Sequence, residues 1–110
     1  MERLVKGDVV VLPFPFADLS ETKRRPALIV ARADAYAVIL CQITSQIVND
    51  PDAIQLESSD FESGSLKKVS NIRPNRLFSA DERVVAYRAG HLEDEKTSEV
   101  VERIVEILRR

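Results

Sequence analysis

A chain of 110 residues, 45% hydrophobic and 31% charged, has the composition of one globular domain spanning 1–110, and disorder is excluded as a class. No apolar run approaches the roughly 18 residues that cross a bilayer, and Met1-Glu2-Arg3-Leu4-Val5-Lys6 has no secretory-type hydrophobic segment; the expectation is a cytoplasmic protein with no membrane partner. The formal net charge of −2 weighs against nucleic acid only as a sum, because binding follows how charge is distributed.

In chain order, Gly7-Asp8 predicts a turn feeding a first strand, Val9-Val10-Val11-Leu12, whose wholly apolar run implies burial on both faces. Pro13-Phe14-Pro15-Phe16 lacks two backbone donors, so it reads as the strand leaving the sheet with its phenyl rings on the core edge. Ala17 to Arg24 is a polar loop, and a second strand runs from about Arg25 to Ala31. Pro26 pushes Arg25 toward an extended conformation. Asp34-Ala35 marks a hairpin turn before a third strand, Tyr36 to Thr44, which ends in the polar series Gln42-Ile43-Thr44-Ser45-Gln46. Asn49-Asp50-Pro51-Asp52 is a turn. Ala53 to Leu56 is a short strand, Ser58 to Ser65 a polar loop containing Gly64, and Lys67 to Ile72 a further strand. Asn75 to Ser79 and Val84 to Leu92 are less regular strand patterns, interrupted by Asp81-Glu82.

From about Glu93 the period becomes helical, with Val100, Val101, Ile104, Val105 and Leu108 on one stripe. Glu93, Asp94 and Glu95 open the helix and Arg109 and Arg110 close it, in keeping with its macrodipole. Glu99–Arg103 and Glu106–Arg110 have favourable spacing, worth about 0.3 kcal/mol each. The predicted fold class is mainly β: a small antiparallel β-barrel with a C-terminal amphipathic helix.

Charge is unevenly spread. Residues 1–50 carry six acids and six bases, 51–80 four of each, and 81–110 eight acids against six bases. Within the balanced part are two acid-free windows: Thr22 to Ala33 with Lys23, Arg24, Arg25 and Arg32, and Leu66 to Arg76 with Lys67, Lys68, Arg73 and Arg76. The single Cys41 lies in an apolar run and reads as a core residue; the single His91 has no ligand spacing around it. There is no phosphate-binding glycine loop, dinucleotide fingerprint or nucleophile elbow. No metal and no cofactor are expected. What remains is arginine and hydroxyl chemistry. Arginine offers a rigid fork of donors suited to phosphate, and Thr44 ends a strand where its hydroxyl can bind the same oxyanion. That pairing suits a reaction whose nucleophile comes with the substrate, as the 2′-hydroxyl of RNA does. Spacing alone leaves a plainer reading open, with Arg24 and Arg25 solvating a loop end and Thr44 closing a strand.

The ordered series Gly7-Asp8, a proline- and phenylalanine-containing turn, Arg24-Arg25-Pro26-Ala27-Leu28-Ile29-Val30 and Ile43-Thr44-Ser45-Gln46 resembles the MazF/PemK (Kid) toxin family, in its PemK-like branch. Gly64-Ser65-Leu66-Lys67, Asn71-Ile72-Arg73-Pro74 and Gly90-His91-Leu92 carry the likeness onward over nearly the whole chain. The resemblance implies an SH3-like barrel of the CcdB/PemK type. It implies the toxin of a type II toxin–antitoxin system, a metal-independent, sequence-selective endoribonuclease. Such an enzyme cleaves single-stranded RNA, usually messenger RNA, to a 2′,3′-cyclic phosphate and a 5′-hydroxyl. It implies Arg25 and Thr44 as catalytic residues; Lys23, Arg24, Ser45, Gln46, Arg73 and Arg76 are the candidate RNA contacts. It also implies a homodimer and a cognate antitoxin that occludes the groove. The loop Ala17 to Lys23 lacks the glycine-rich segment of the best-known members, so their cut-site preference does not carry over.

The alternative is a catalytically inert or protein-target-binding homologue on the same fold. The CcdB-like form of it is disfavoured, since Ile107-Leu108-Arg109-Arg110 contains no aromatic residue. An adaptor for proline-rich peptides needs an aromatic groove, and two tyrosines, four phenylalanines and no tryptophan supply one poorly.

Overall fold

Four consecutive apolar residues with no polar face to show water belong in the middle of a sheet, and that is where Val9–Leu12 lie. In the computed structural model, which describes residues 3–14 and 23–110, they form most of β1 (Asp8–Pro13). The other strands are β2 (Arg24–Arg32), β3 (Ala37–Thr44), β4 (Ile54–Leu56), β5 (Phe61–Gly64), β6 (Ser70–Asp81) and β7 (Tyr87–Leu92). One seven-stranded sheet joins them in the order β4-β6-β3-β2-β1-β7-β5. Every pairing in it is antiparallel, and the sheet curls into a half-barrel. Of the segment expected to leave the sheet, Pro13 is still the last residue of β1, paired with Arg24, and Phe14 just past it is buried at the core edge; Pro15, Phe16 and the loop from Ala17 to Thr22 lie outside the described residues.

Both faces of the central strands are covered, and the two-residue period of β1 divides them. Val9 joins Leu28, Cys41, Ile43, Ile72 and Leu92 under the helix α1 (Asp94–Leu108), which contributes Val100 and Ile104. Val10 and Leu12 join Phe14, Ala27, Ile29, Val38 and Leu40 on the other face. The helical stripe is wider than its contact. Val101 and Val105 are half-buried, and Leu108 is exposed. Glu106–Arg110 forms at 3.5 Å, whereas Glu99 meets Lys96 at 3.4 Å instead of Arg103. Arg103 donates to the Asp52 carbonyl oxygen at 3.1 Å, and Arg110 grips the Asp52 carboxylate at 2.6 and 3.1 Å. The end of α1 is thereby fastened to the turn after β3.

Three elements differ from the sequence expectation. Ser58 to Ser65 is not a loop throughout: a single 3₁₀ turn, Ser58–Asp60, leads into β5, which pairs with β7. Polar composition hid this strand because it sits on an exposed edge. Lys67 to Ile72 and Asn75 to Ser79 are not separate strands: residues 70–72 and 75–79 are parts of the one strand β6, and residues 67–69 lie before it around a bend. Pro74 lies within it, and its missing N–H is accommodated by an irregularity: Cys41 pairs with Leu77 and Gln42 with Arg73, so Pro74, Asn75 and Arg76 have no partners on β3. Val84 belongs to a second 3₁₀ turn, Glu82–Val84, and β7 starts at Tyr87. Tyr36 also falls outside β3, because the Asp34 carboxylate accepts from the N–H groups of Tyr36 and Ala37 at 2.8 Å each and closes the hairpin as a turn.

No helix among the described residues is long and apolar enough to cross a membrane. Ile72 is fully buried where β3, β4 and β6 meet. Ile72→Ala is expected to lower unfolding stability by about 2–5 kcal/mol, read from urea denaturation; a loss under about 1 kcal/mol would show that the core does not close there.

Candidate functional site

Arg25 is set opposite Leu12 on β1, and on its other side the β2–β3 register pairs Ala27 with Gln42. Arg25 and Thr44 each lie two residues beyond that pair on their strands. Residues two apart share a face of a strand, so Gln42 and Thr44 point the same way. Across β3, Gln42 pairs with Arg73. The outcome is an open groove of about 490 Å³. Arg25, Gln42, Thr44, Gln46, Arg73 and Arg76 line it, with Asn75 and an apolar wall of Phe14, Val48, Leu77 and Phe78. The rings of Phe14 and Phe78 meet edge to face, 5.0 Å between centroids.

The polar groups differ in how far they are committed. Among the described residues, Arg25 and Arg76 have no ion-pair or side-chain hydrogen-bond partner, so their guanidinium donors remain available. Thr44 Oγ1 accepts from the Gln46 N–H at 3.2 Å, and Asn71 Nδ2 donates to the Gln46 carbonyl oxygen at 3.3 Å. A hydroxyl has one proton to give and two lone pairs; the turn occupies a lone pair and leaves the proton free. Arg73 is committed: its Nε donates to Asp50 Oδ2 at 3.1 Å, and Asn75 Nδ2 donates to Asp50 Oδ1 at 3.1 Å. The Asp52 N–H adds a third bond at 3.0 Å. The Asp50 side chain is 4% exposed. Burial alone would raise its pKa, but the Asp52 N–H, Arg73 and Asn75 together hold the carboxyl below its ordinary value.

Of the residues singled out from sequence, Arg25, Thr44, Gln46, Arg73 and Arg76 meet in this groove, while Lys23, Arg24 and Ser45 are not among its lining residues. Arg24 and Ser45 are exposed one position away from Arg25 and Thr44, where strand alternation turns the side chain aside. The two acid-free windows do converge, through Arg25 on one side of β3 and Arg73 with Arg76 on the other. Arg32 does not take part; it is bound to Glu82 and the Leu4 carbonyl oxygen at 2.9 and 2.8 Å. Gln42, Asn75 and Asp50 were not anticipated. Gln42 had a signal, as the polar break in an apolar strand; Asp50 had none beyond its turn.

Cys41 is fully buried, and burial pushes its thiol up to about 12, which leaves it inert. His91 Nδ1 lies 2.8 Å from Oδ1 of the fully buried Asp8, tying β7 to β1. Among the described residues no three His, Cys, Asp or Glu side chains are grouped to hold a metal ion.

The model of the family described as PemK-like, MazF-like toxin of type II toxin–antitoxin systems matches residues 5–108. Among solved structures, the chain is similar to crystalline MazF (form I) from Deinococcus radiodurans, with a TM-score of 0.78 at 21% identity over 100% of both chains. It is also similar to an endoribonuclease in complex with its cognate antitoxin from mycobacterial species, with a TM-score of 0.75 at 12% identity over 97% of this chain and 96% of that one. MazE–MazF (form III) from Deinococcus radiodurans gives 0.74 at 19% identity over 96% of each chain. No curated protein sequence matches.

The lowered pKa of Asp50 predicts a pH dependence of stability. The unfolded carboxyl titrates near 3.8 and the folded one lower, so its contribution is fully present above that value and is lost as pH falls through the folded pKa. Acid unfolding monitored by circular dichroism is therefore expected to lose part of its slope below about pH 4 in Asp50→Asn; an unchanged acid limb would contradict the bonding described here.

Proposed function

The chain belongs to the PemK-like, MazF-like toxins of type II toxin–antitoxin systems, and on that footing we propose that it is a metal-independent endoribonuclease acting on single-stranded RNA in the cytoplasm. One observation carries the reading: Arg25 and Thr44, each with a donor to spare, face a single groove. In the proposed reaction the 2′-hydroxyl oxygen of the substrate attacks the adjacent phosphorus. The bond to the 5′-oxygen breaks, leaving a 2′,3′-cyclic phosphate and a 5′-hydroxyl; the proton lost by the nucleophile is balanced by one gained at the leaving oxygen.

Charge grows on the non-bridging oxygens as the fifth bond to phosphorus forms. The fork of Arg25 supplies parallel N–H donors to those oxygens, and the Thr44 hydroxyl supplies another. Arginine stays protonated at any working pH, so its role is charge stabilisation rather than proton abstraction. Arg76 is assigned to a flanking phosphate and Gln46 to a contact within the groove, with Lys23, Arg24 and Ser45 as outer contacts. The Phe14–Phe78 wall offers a face on which an unpaired base can rest, the way single strands are commonly held. The mycobacterial neighbour is bound to its cognate antitoxin, and for this chain a cognate antitoxin and a homodimeric assembly are likewise proposed.

The deciding experiment digests a long single-stranded RNA with the purified protein in EDTA. Discrete fragments ending in cyclic phosphate are expected from the wild type, and Arg25→Ala should slow cleavage by about 10²–10³-fold. Intact RNA across all short sequence contexts, from folded protein, would overturn the reading. Thr44→Val keeps the shape and removes the donor. It is expected to lower kcat by about 10²-fold with little change in KM, and an equal kcat would remove Thr44 from the site.

A further inference from the structure

A strand segment without ladder partners needs something else to hold it. Pro74, Asn75 and Arg76 have none on β3, yet Asn75 and Arg76 are exposed residues that line the groove. The brace comes from outside the sheet. Asp50, in the turn after β3, accepts from Arg73 immediately before this segment and from Asn75 within it. Only a carboxylate can do this, since both oxygens accept while an amide would turn a donor toward one of the two. The same geometry fixes the Asn75 amide: its NH₂ must face Asp50, which leaves Oδ1 to accept from a donor on a ligand. It also commits Arg73, whose side chain is 20% exposed and bound to Asp50, to holding the wall.

Asp50 is itself anchored. Its Oδ1 takes the Asp52 N–H, and Asp52 is clamped by Arg103 and Arg110 of the helical end. The path runs from α1 through the turn to the irregular segment of β6 and so to the groove. Resting on the ribonuclease reading above, we propose that Asp50 is a positioning residue: it holds Arg73 and Asn75 so that Asn75 and Arg76 are presented to RNA in fixed register. It touches no reacting atom and acts through its two partners.

The test compares wild type, Asp50→Asn, Asn75→Ala and the double variant on a mapped RNA substrate, alongside binding to the same RNA carrying a cleavage-blocking 2′-O-methyl group. Asp50→Asn is expected to lower kcat by about 10–100-fold while binding shifts less than about 3-fold. Asn75→Ala should lose kcat in the same direction, and the double variant should be no worse than Asp50→Asn alone by more than about 2-fold. A wild-type kcat in Asp50→Asn, even with a lowered melting temperature, would overturn the proposal, as would losses that multiply in the double variant. If Asp50→Asn does not fold, Asn75→Ala at its exposed position decides: unchanged kcat overturns the proposal and reduced kcat supports it. Failure of wild type to cut any RNA is a separate outcome, which removes the ribonuclease reading and the positioning role with it.

Discussion

A proline inside a sheet has no proton to give its neighbour, and much of this molecule's groove follows from that missing donor. Pro74 is buried within β6, where an ordinary residue would bond across to β3. The ladder instead skips from Arg73 to Leu77, and the skipped residues are free of the sheet's demand for pairing. Backbone released from a ladder must be held by side chains or left to move. Asp50 meets that need from the turn that follows β3, close in sequence to Thr44 and Gln46. The β6 wall is thus braced by Asp50, while Gln46 is held by Thr44 and Asn71.

Placement of Arg25 follows from another proline. Pro26 fixes its own φ and favours an extended residue before it, so Arg25 enters β2 as a strand residue. Below it the strand is anchored by Ala27, Leu28 and Ile29, all fully buried. A long cationic side chain on such a base loses little further freedom on binding an anion, which is the condition for a stabilising contact to act in a transition state.

Strong local patterns made most of the fold legible in the sequence. The apolar runs of β1, β2 and β3, the Asp34 and Asn49–Asp52 turns and the helical stripe ending in Leu108 each state their structure in a few neighbouring residues. Spacing alone leaves Arg25 and Thr44 with a plainer structural reading, and it is the ordered resemblance over the chain that singles them out, with Gln46 just past the end of β3. What could not be read depends on pairs distant in sequence. β5 is exposed and polar, and is a strand only because β7 passes beside it. β6 looked like two strands because a proline and two polar residues interrupt its pattern, and only the register with β3 joins them. Asp50 looked complete as a turn residue, while its side chain reaches Arg73 and Asn75. Arg73 and Arg76 fall in one cationic window of the sequence; the structure separates them, one bound to a carboxylate and one with donors to spare among the described residues.

That separation explains how a chain with 18 acids and 16 basic Lys and Arg residues can present a positive groove. Arg32 is matched by Glu82, Arg83 by Asp81, Arg110 by Asp52 and Arg73 by Asp50. Each pair spends a charge on structure: the hairpin edge, the 3₁₀ turn, the helix end and the groove wall. Arg25 and Arg76 have no such partner among the described residues, and both line the groove. An acidic partner on either would neutralise the site and set a carboxylate beside an incoming phosphate, where like charges repel. Net charge measures the molecule's solubility and long-range field; affinity for a polyanion depends on where unmatched cations sit, and two of them, Arg25 and Arg76, lie where β2, β3 and β6 converge.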